Sequence, residues 1–312
     1  MFARALFLVR AEKKQMKFKA IFNFFLVVFL LLFMSFCSNQ TSKEGLLIAV
    51  SIPPQGWFIS QIAGDKCDTI ILAGPGQNPH NYEPSPRLLQ NLTSASAWIL
   101  SGTEFEISLQ PKIEPLFPNL LIIDGTKGVN FRTLSEHEHE DHHNEAEHSE
   151  IEIDRHTWLG REPAKIHAAH IKETLVVLDK QNEEYYNTNY ESLIKLIDDE
   201  FDKLKIDLAF MEGKTVFVYH PSFGYFLDEF GIVQEAVETG GKEPGPRVLN
   251  ELINIMLEEK PAAIFVQEQF PVSAARTISD AAGAELVFLD PLAYNWLENI
   301  RSMGQALKRA VR

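Results

Sequence analysis

The sequence predicts an α/β fold of two duplicated lobes, each a parallel sheet flanked by helices, joined by one long helix. Three observations support this prediction. Short aliphatic runs alternate with amphipathic segments along most of the chain, which is typical of parallel sheets covered by helices. Two sets of residues occur twice in the same order. One helical pattern would span roughly 40 Å at 1.5 Å per residue, which is long enough to connect two lobes.

The first lobe is predicted over residues 46–182. Its first strand is an aliphatic run that ends at Pro53 and Pro54, and proline there ends a strand and favours the first turn of a helix. The other elements follow from the same alternation. We expect strands at 46–52, 68–73, 97–101 and 120–123. We expect four helices: one that begins at about residue 55, one at 86–94, one that ends at residue 114 and one at 163–179.

The linking helix is predicted over residues 183–211, because apolar side chains recur there at three- and four-residue steps. These side chains are Leu193, Leu196, Ile197, Phe201, Leu204 and Leu208. The second lobe then covers residues 212–312. Its strands are expected at 215–219, 232–237, 262–267 and 285–289, and its helices at 223–230, 247–259, 272–282 and from 294 onwards.

The second half of the chain repeats motifs of the first half. One set of residues recurs 168 positions later: Pro53, Gly56, Trp57 and Phe58 return as Pro221, Gly224, Tyr225 and Phe226. A second run, residues 83–89, recurs 160 positions later as residues 243–249. Open α/β sheets bind ligands at the carboxyl ends of their strands. Two such lobes facing each other therefore predict a cleft with a ligand site between them.

The N-terminus is predicted to direct export. Met16 is a candidate initiator, followed by two lysines and an apolar run over residues 20–34, so residues 1–36 are typical of a signal peptide. The run is shorter than the roughly 20 residues that span a membrane. Cys37 is a candidate lipidation site, and residues 37–45 form a polar tether. We therefore expect a periplasmic or cell-surface protein anchored through Cys37, with simple cleavage before Gly45 as the alternative.

Charge and cysteine content narrow the choice of partners. After residue 36 the chain carries 23 basic and 42 acidic residues, which disfavours nucleic acid and anionic lipid surfaces and favours cations. Cys37 and Cys67 are the two cysteines. If Cys37 is acylated, Cys67 has no disulfide partner and is expected to be a small buried hydrophobe. We expect a monomer that does not bind nucleic acid.

Four residues are candidate metal ligands in the cleft between the lobes. His80 lies in a proline-rich loop, residues 78–87, just before a predicted helix. His220 and Asp290 each directly follow a predicted strand and precede a proline, and His156 follows the histidine-rich segment. Three imidazoles and one carboxylate suit tetrahedral Zn²⁺. Four protein ligands leave no position for water, so the site would bind metal without catalysis; the alternative is that each residue serves an ordinary turn.

Residues 136–152 are predicted to form a mobile loop, because so polar a segment cannot bury a core. Eight acidic residues alternate there with five histidines. These are candidate auxiliary metal ligands, too mobile for a tight site, and a solvated charge run is the alternative. They are His137, His139, His142, His143 and His148. His167 and His170, three apart on the next helix, are expected to be surface residues.

Five motifs resemble those of the metal-binding receptors of zinc and manganese ABC importers, called cluster A-I solute-binding proteins. They are Asn78-Pro79-His80-Asn81-Tyr82-Glu83-Pro84, Asp154-Arg155-His156-Thr157-Trp158-Leu159, His220-Pro221-Ser222-Phe223-Gly224-Tyr225-Phe226, Gly241-Lys242-Glu243-Pro244 and Asp290-Pro291-Leu292. The resemblance covers the chain from about Leu46 to its end. This chain departs from the family at Arg155, where proline is usual. Arginine there loosens the loop but leaves His156 in place.

The resemblance implies two lobes on one long helix, a metal ion bound between them and delivery to an ABC permease in the membrane. His220 and the histidine-rich loop imply zinc as cargo, since manganese receptors tend to carry glutamate at the third ligand position. A manganese receptor remains an alternative. Two further alternatives are a zinc hydrolase, with Asp290 as general base, and an adhesin that a metal ion stabilises.

Overall fold

The computed structural model describes residues 45–134, 153–238, 245–261, 263–267, 269–270 and 273–310. The predicted signal peptide, Cys37, the five loop histidines and the motif at residues 241–244 lie outside the described residues. From Leu46 onwards the chain forms one compact unit. None of the described helices combines the length and the apolar composition that a membrane crossing needs.

The first sheet has four parallel strands in the order β2-β1-β3-β4. The strands are β1 (Leu46–Val50), β2 (Cys67–Ile71), β3 (Ala97–Leu100) and β4 (Leu121–Asp124), and the helices are α1 (Pro53–Ala63), α2 (Pro86–Asn91), α3 (Glu104–Ile113) and α4 (Arg161–Leu178). Ile48, Ala49 and Val50 are fully buried, as expected for a central strand covered on both faces. Proline opens α1 and α2, and Ser85 caps α2 by accepting the backbone N–H of Leu88 at 3.3 Å.

The second sheet repeats this plan, with four parallel strands in the order β6-β5-β7-β8. The strands are β5 (Thr215–Val218), β6 (Val233–Ala236), β7 (Ala263–Val266) and β8 (Glu285–Phe288). The linking helix is α5 (Glu183–Asp207), and the later helices are α6 (Gly224–Asp228), α7 (Pro246–Glu259), α8 (Ser273–Ala282) and α9 (Trp296–Ala310). Strand for strand, the order matches that of the first sheet, which confirms the predicted α/β fold of two similar lobes.

The linking helix α5 has 25 residues and would be roughly 38 Å long. It ends before the predicted boundary at residue 211, and a 3₁₀ turn over Ala209–Met211 completes the segment. Its buried stripe includes Leu193, Ile197 and Phe201. This stripe packs against α1 and α4 of the first lobe and against α9 at the end of the second lobe, so one helix supports both lobes.

The largest hydrophobic cluster contains residues of both lobes, while a smaller cluster covers the other face of each sheet. Two tryptophans connect the lobes within the shared cluster. Trp158 donates its indole N–H to the carbonyl of Pro291 at 2.7 Å, and Trp296 donates to the carbonyl of Trp158 at 2.6 Å. Buried indole N–H groups that find partners in this way set the relative position of the lobes.

His167 is fully buried, so the prediction that it lies on the surface was wrong. It belongs to the apolar stripe of α4 that also contains Ala164, Ala168 and Ile171, all fully buried. The helical period places position 167 on that stripe, which a count of three- and four-residue steps reveals in the sequence. His170 is partly exposed and bonds through its ring to the carbonyl of Lys127 at 2.8 Å.

Cys67 is a buried free cysteine, which confirms the predicted role as a small hydrophobe. Burial raises the pKa of its thiol to about 12. A thiol that stays protonated at neutral pH is a poor nucleophile and a poor metal ligand. Cys67 therefore contributes to packing.

Candidate metal centre

Three histidines from distant parts of the chain converge in the cleft. His80 lies between β2 and α2, His156 precedes the 3₁₀ turn Thr157–Leu159, and His220 follows β5. The Nε2 atom of His220 lies 2.9 Å from that of His80 and 3.2 Å from that of His156. One ring nitrogen from each residue lies within 4.8 Å of the other two. The first lobe thus supplies two of the three imidazoles and the second lobe supplies one.

A carboxylate contacts the Nδ1 atom of each imidazole. The Glu104 carboxylate lies 3.0 Å from Nδ1 of His80, and that of Asp154 lies 2.8 Å from Nδ1 of His156. The carboxylate of Glu238 contacts Nδ1 of His220. An ionised carboxylate only accepts hydrogen bonds, so Nδ1 of His156 and Nδ1 of His220 carry the proton and donate it. The Glu104 carboxylate beside Nδ1 of His80 favours the same tautomer there.

This tautomer determines what the cluster can bind. With the proton on Nδ1, Nε2 presents a lone pair, and the Nε2 atoms of His80 and His156 both lie beside that of His220. Carboxylate–histidine pairs of this kind orient imidazoles toward a metal and raise their basicity. At a Zn–N distance of about 2.0 to 2.1 Å, tetrahedral geometry separates two nitrogens by roughly 3.3 Å. The observed separations of 2.9 and 3.2 Å are close to that value.

Burial keeps the His220 imidazole neutral, while partners of Asp154 and Glu104 keep these two carboxylates charged. The pKa of His220 lies well below its usual value, because burial disfavours the imidazolium and the charges of His156 and His80 disfavour it further. Burial raises the pKa of the Asp154 carboxyl, but hydrogen bonds to His156 and the nearby Arg132 lower it by more, so the net shift is downward. Burial also raises the pKa of Glu104, but the contact with His80, the charges of His80 and His156 and a backbone hydrogen bond together lower it by more. His220 therefore offers a neutral nitrogen, and the charged Asp154 and Glu104 carboxylates lie beside the other two histidines.

Local backbone contacts position each ligand loop. Gln267, at the end of β7, accepts the N–H of His220 at 3.2 Å and donates to its carbonyl at 2.7 Å. Asn78 accepts the N–H of His80 at 3.0 Å, and Asp154 accepts the N–H of His156 at 2.9 Å. Such bonds limit the motion of the loops, and preorganised ligands are what a selective metal site needs.

Asp290, the fourth predicted ligand, is not part of the cluster that the structure brings together. It follows β8, and its Oδ1 accepts the backbone N–H of Leu292 at 2.9 Å and the side-chain amide of Gln269 at 2.8 Å. Oδ2 is therefore the atom that Asp290 would offer to a metal ion.

The sequence-based prediction missed four residues of the site. Glu104, Asp154 and Glu238 orient the histidines, and Phe270 stacks on the His220 ring with centroids 4.4 Å apart. Glu104 and Glu238 follow β3 and β6 closely, so the rule that selected His220 and Asp290, a polar residue just after a strand, also points to them. No such sequence pattern points to Phe270.

Comparison with known proteins places the chain in a family. The family model for the zinc-uptake complex component A, a periplasmic protein called ZnuA, matches residues 48–310. The high-affinity zinc uptake system protein ZnuA of Bacillus subtilis is 28% identical over 287 residues, covering 88% of this chain and 89% of that protein. A crystal structure of ZnuA is 30% identical with a TM-score of 0.79, covering 86% of this chain and 100% of that one.

A longer relative also matches. The zinc-binding lipoprotein AdcA of Streptococcus pneumoniae is 27% identical over 271 residues. The match covers 84% of this chain and 53% of that protein, so the chain spans about half the length of this relative. Because the family model covers most of the chain, it confirms the resemblance that the five motifs indicated, and the chain belongs to the ZnuA family of zinc-uptake complex components.

Proposed function

We propose that this protein is an exported receptor that captures Zn²⁺ with high affinity and delivers it to an ABC permease in the membrane. His80, His156 and His220 bind the ion, and the receptor acts as a monomer without enzymatic activity. Its signal peptide is removed, and a lipid on Cys37 anchors it at the periplasmic or outer face of the membrane. Membership of the ZnuA family supports this proposal.

The observation that carries the proposal is the convergence of three Nε2 atoms, each belonging to a ring whose Nδ1 contacts a carboxylate. Imidazole nitrogen suits zinc, while manganese prefers oxygen ligands. A donor set dominated by nitrogen therefore favours Zn²⁺ over Mn²⁺ as cargo. Asp290 completes the set through Oδ2 when metal binding draws its turn toward the histidines. The histidines of residues 137–148 bind zinc weakly as auxiliary ligands.

A zinc hydrolase is the second candidate, because three imidazoles without Asp290 leave a fourth position for water. Phe270, stacked over His220, covers part of the site and favours a binding role. The two candidates predict different coordination. A receptor has a fourth protein ligand and no catalytic water, whereas X-ray absorption of the zinc-loaded protein showing three nitrogens and one exchangeable water would favour the hydrolase.

Calorimetric titration of the exported part, from Ser38, with zinc and then manganese tests the function. We expect one tight site for zinc and weaker binding of manganese. Deleting residues 137–148 should remove additional weak sites while leaving the affinity of the tight site unchanged. A tight site that disappears with the loop, or that prefers manganese, would contradict the proposal.

A further inference from the structure

Arg132 lies at the contact between the two lobes and reaches the carboxylate behind a metal ligand. Its Nη1 donates to Oδ2 of Asp154 at 2.9 Å, and its Nε donates to Oδ2 of Asp228 at 2.9 Å. Asp154 belongs to the first lobe, and Asp228 ends α6 of the second lobe. One guanidinium therefore joins the carboxylate that orients His156 to the other lobe.

Tyr225 strengthens the same connection. Its hydroxyl donates to the carbonyl of Asp154 at 2.9 Å and accepts the backbone N–H of Arg132 at 3.0 Å. The Asp154 side chain is fully buried, and the Arg132 side chain is 20% exposed. We call these four residues, Arg132, Asp154, Tyr225 and Asp228, the arginine bridge. The pair of Arg132 with buried Asp154 is stronger than pairs between neutral groups or exposed ions, whereas Asp228 is 53% exposed and contributes less.

The two oxygens of Asp154 have different partners. Oδ1 accepts from both the ring and the backbone N–H of His156, while Oδ2 accepts from Arg132. A rotation of the carboxylate that releases Arg132 therefore also disturbs the bond to His156. Removing the partners behind a metal ligand typically weakens metal binding about 10- to 100-fold.

We propose that Arg132 is a positioning residue of the metal site, which slows zinc release by tying the orientation of His156 to the second lobe. The inference rests on the proposed zinc-binding function and extends it to the rate of release. His156 and His220 come from different lobes. A hydrogen bond that fixes both the orientation of the His156 ring and the contact between the lobes therefore helps to hold all the ligands in place. Breaking it speeds dissociation of zinc more than it slows association.

Gly224 offers a test that changes no charged group. A β-carbon at position 224 would overlap the guanidinium of Arg132. That group is the end of a flexible side chain, and alanine is a good helix former, so Gly224→Ala should fold while displacing Arg132 from Asp154. Arg132→Gln removes the charge directly, and Asp228→Asn weakens the link to the second lobe while leaving the Arg132–Asp154 pair.

Arg161 provides the matched control. It also bridges elements with ion pairs, to Asp198 at 2.8 Å, Asp202 at 2.8 Å and Glu229 at 3.6 Å, but none of these partners contacts a site histidine in the structure. Arg161→Gln should therefore lower the melting temperature and leave the zinc dissociation rate within twofold of the unchanged protein.

The experiment measures zinc dissociation by stopped flow against an excess chelator, with the visible spectrum of bound Co²⁺ as a readout of ligand geometry. Arg132→Gln and Gly224→Ala should raise the dissociation rate about 10- to 100-fold and alter the Co²⁺ spectrum, and Asp228→Asn should have a smaller effect in the same direction. If Gly224→Ala folds, binds zinc and keeps the original rate and spectrum, the inference is wrong. If the unchanged protein binds no zinc tightly, the proposed function itself fails.

Discussion

The two lobes build the same turn after their first strand but use it differently. In the first lobe the turn carries Ile52, which is fully buried, and the amide of Gln55 accepts the N–H of Ser51 at 3.0 Å. The equivalent position in the second lobe, 168 residues later, is His220, and Gln267 bonds to its backbone. Both turns rely on a buried glutamine, but only the second presents a side chain of the histidine cluster.

The difference shows that the scaffold and the chemistry are separable. A glutamine side chain bonds to buried backbone groups of each turn, because buried N–H and C=O groups need partners. The side chain at the apex of the turn is then free to vary. The first lobe instead presents its histidines from the connections after β2 and β4, at His80 and His156. Its own first turn stays part of the hydrophobic core.

Replacing His220 with isoleucine would give the second lobe the side chain of the first and should have the largest effect. One of three converging nitrogens disappears, so we expect zinc affinity to fall about 10³-fold, roughly 4 kcal/mol. The turn should persist, because Gln267 bonds to the backbone at position 220. Competition calorimetry with a chelator measures the affinity, and circular dichroism checks the fold.

His170→Ala is the control for this substitution, since His170 bonds to Lys127 away from the cluster. It should leave zinc affinity unchanged. A His220→Ile protein that folds and binds zinc as tightly as before would show that His220 is not a ligand. The two turns would then not differ in metal binding.

The sequence was sufficient to predict the fold and the three histidines that converge, because both follow from position along the chain. Alternating apolar runs define the sheets, and a histidine just after a strand has a known place at the sheet edge. The orienting carboxylates were missed because acidic residues are common in this chain, and only the fold shows that Glu104 and Glu238 face imidazoles. Whether Asp290 reaches the metal site depends on the distance between the lobes, which no local sequence pattern encodes.

A second buried histidine of the first lobe sharpens the comparison, because no carboxylate of the described residues hydrogen-bonds to His167. Its ring bonds to the hydroxyl of Thr157 at 2.8 Å. Burial, together with the charge of His170, lowers the pKa of His167 from 6.5 to about 4. Between those values the unfolded chain binds a proton that the folded protein does not, so stability falls as the pH falls.

We therefore expect about 3 kcal/mol of stability to be lost through this group as the pH drops from 6.5 to about 4. Denaturant unfolding of the metal-free protein at several pH values measures the loss. His167→Asn should reduce that slope, and His170→Asn should reduce it by less, because burial is the larger cause of the His167 shift. An unaltered slope in His167→Asn would mean that His167 is not neutral in the folded protein.

Asp290 and its counterpart in the first lobe allow the finest comparison. Asp124 ends β4 and accepts the backbone N–H of Thr126 at 2.9 Å, just as Asp290 accepts that of Leu292 at 2.9 Å. Both carboxylates stabilise a turn, and only Asp290 is proposed to bind metal as well. Asparagine keeps the acceptor oxygen of the turn but removes the charge. Asp290→Asn should therefore weaken zinc binding about tenfold, roughly 1.4 kcal/mol, while Asp124→Asn leaves it unchanged. Equal zinc affinity in the two variants and the unchanged protein, by competition calorimetry, would reduce Asp290 to the turn residue that Asp124 already is.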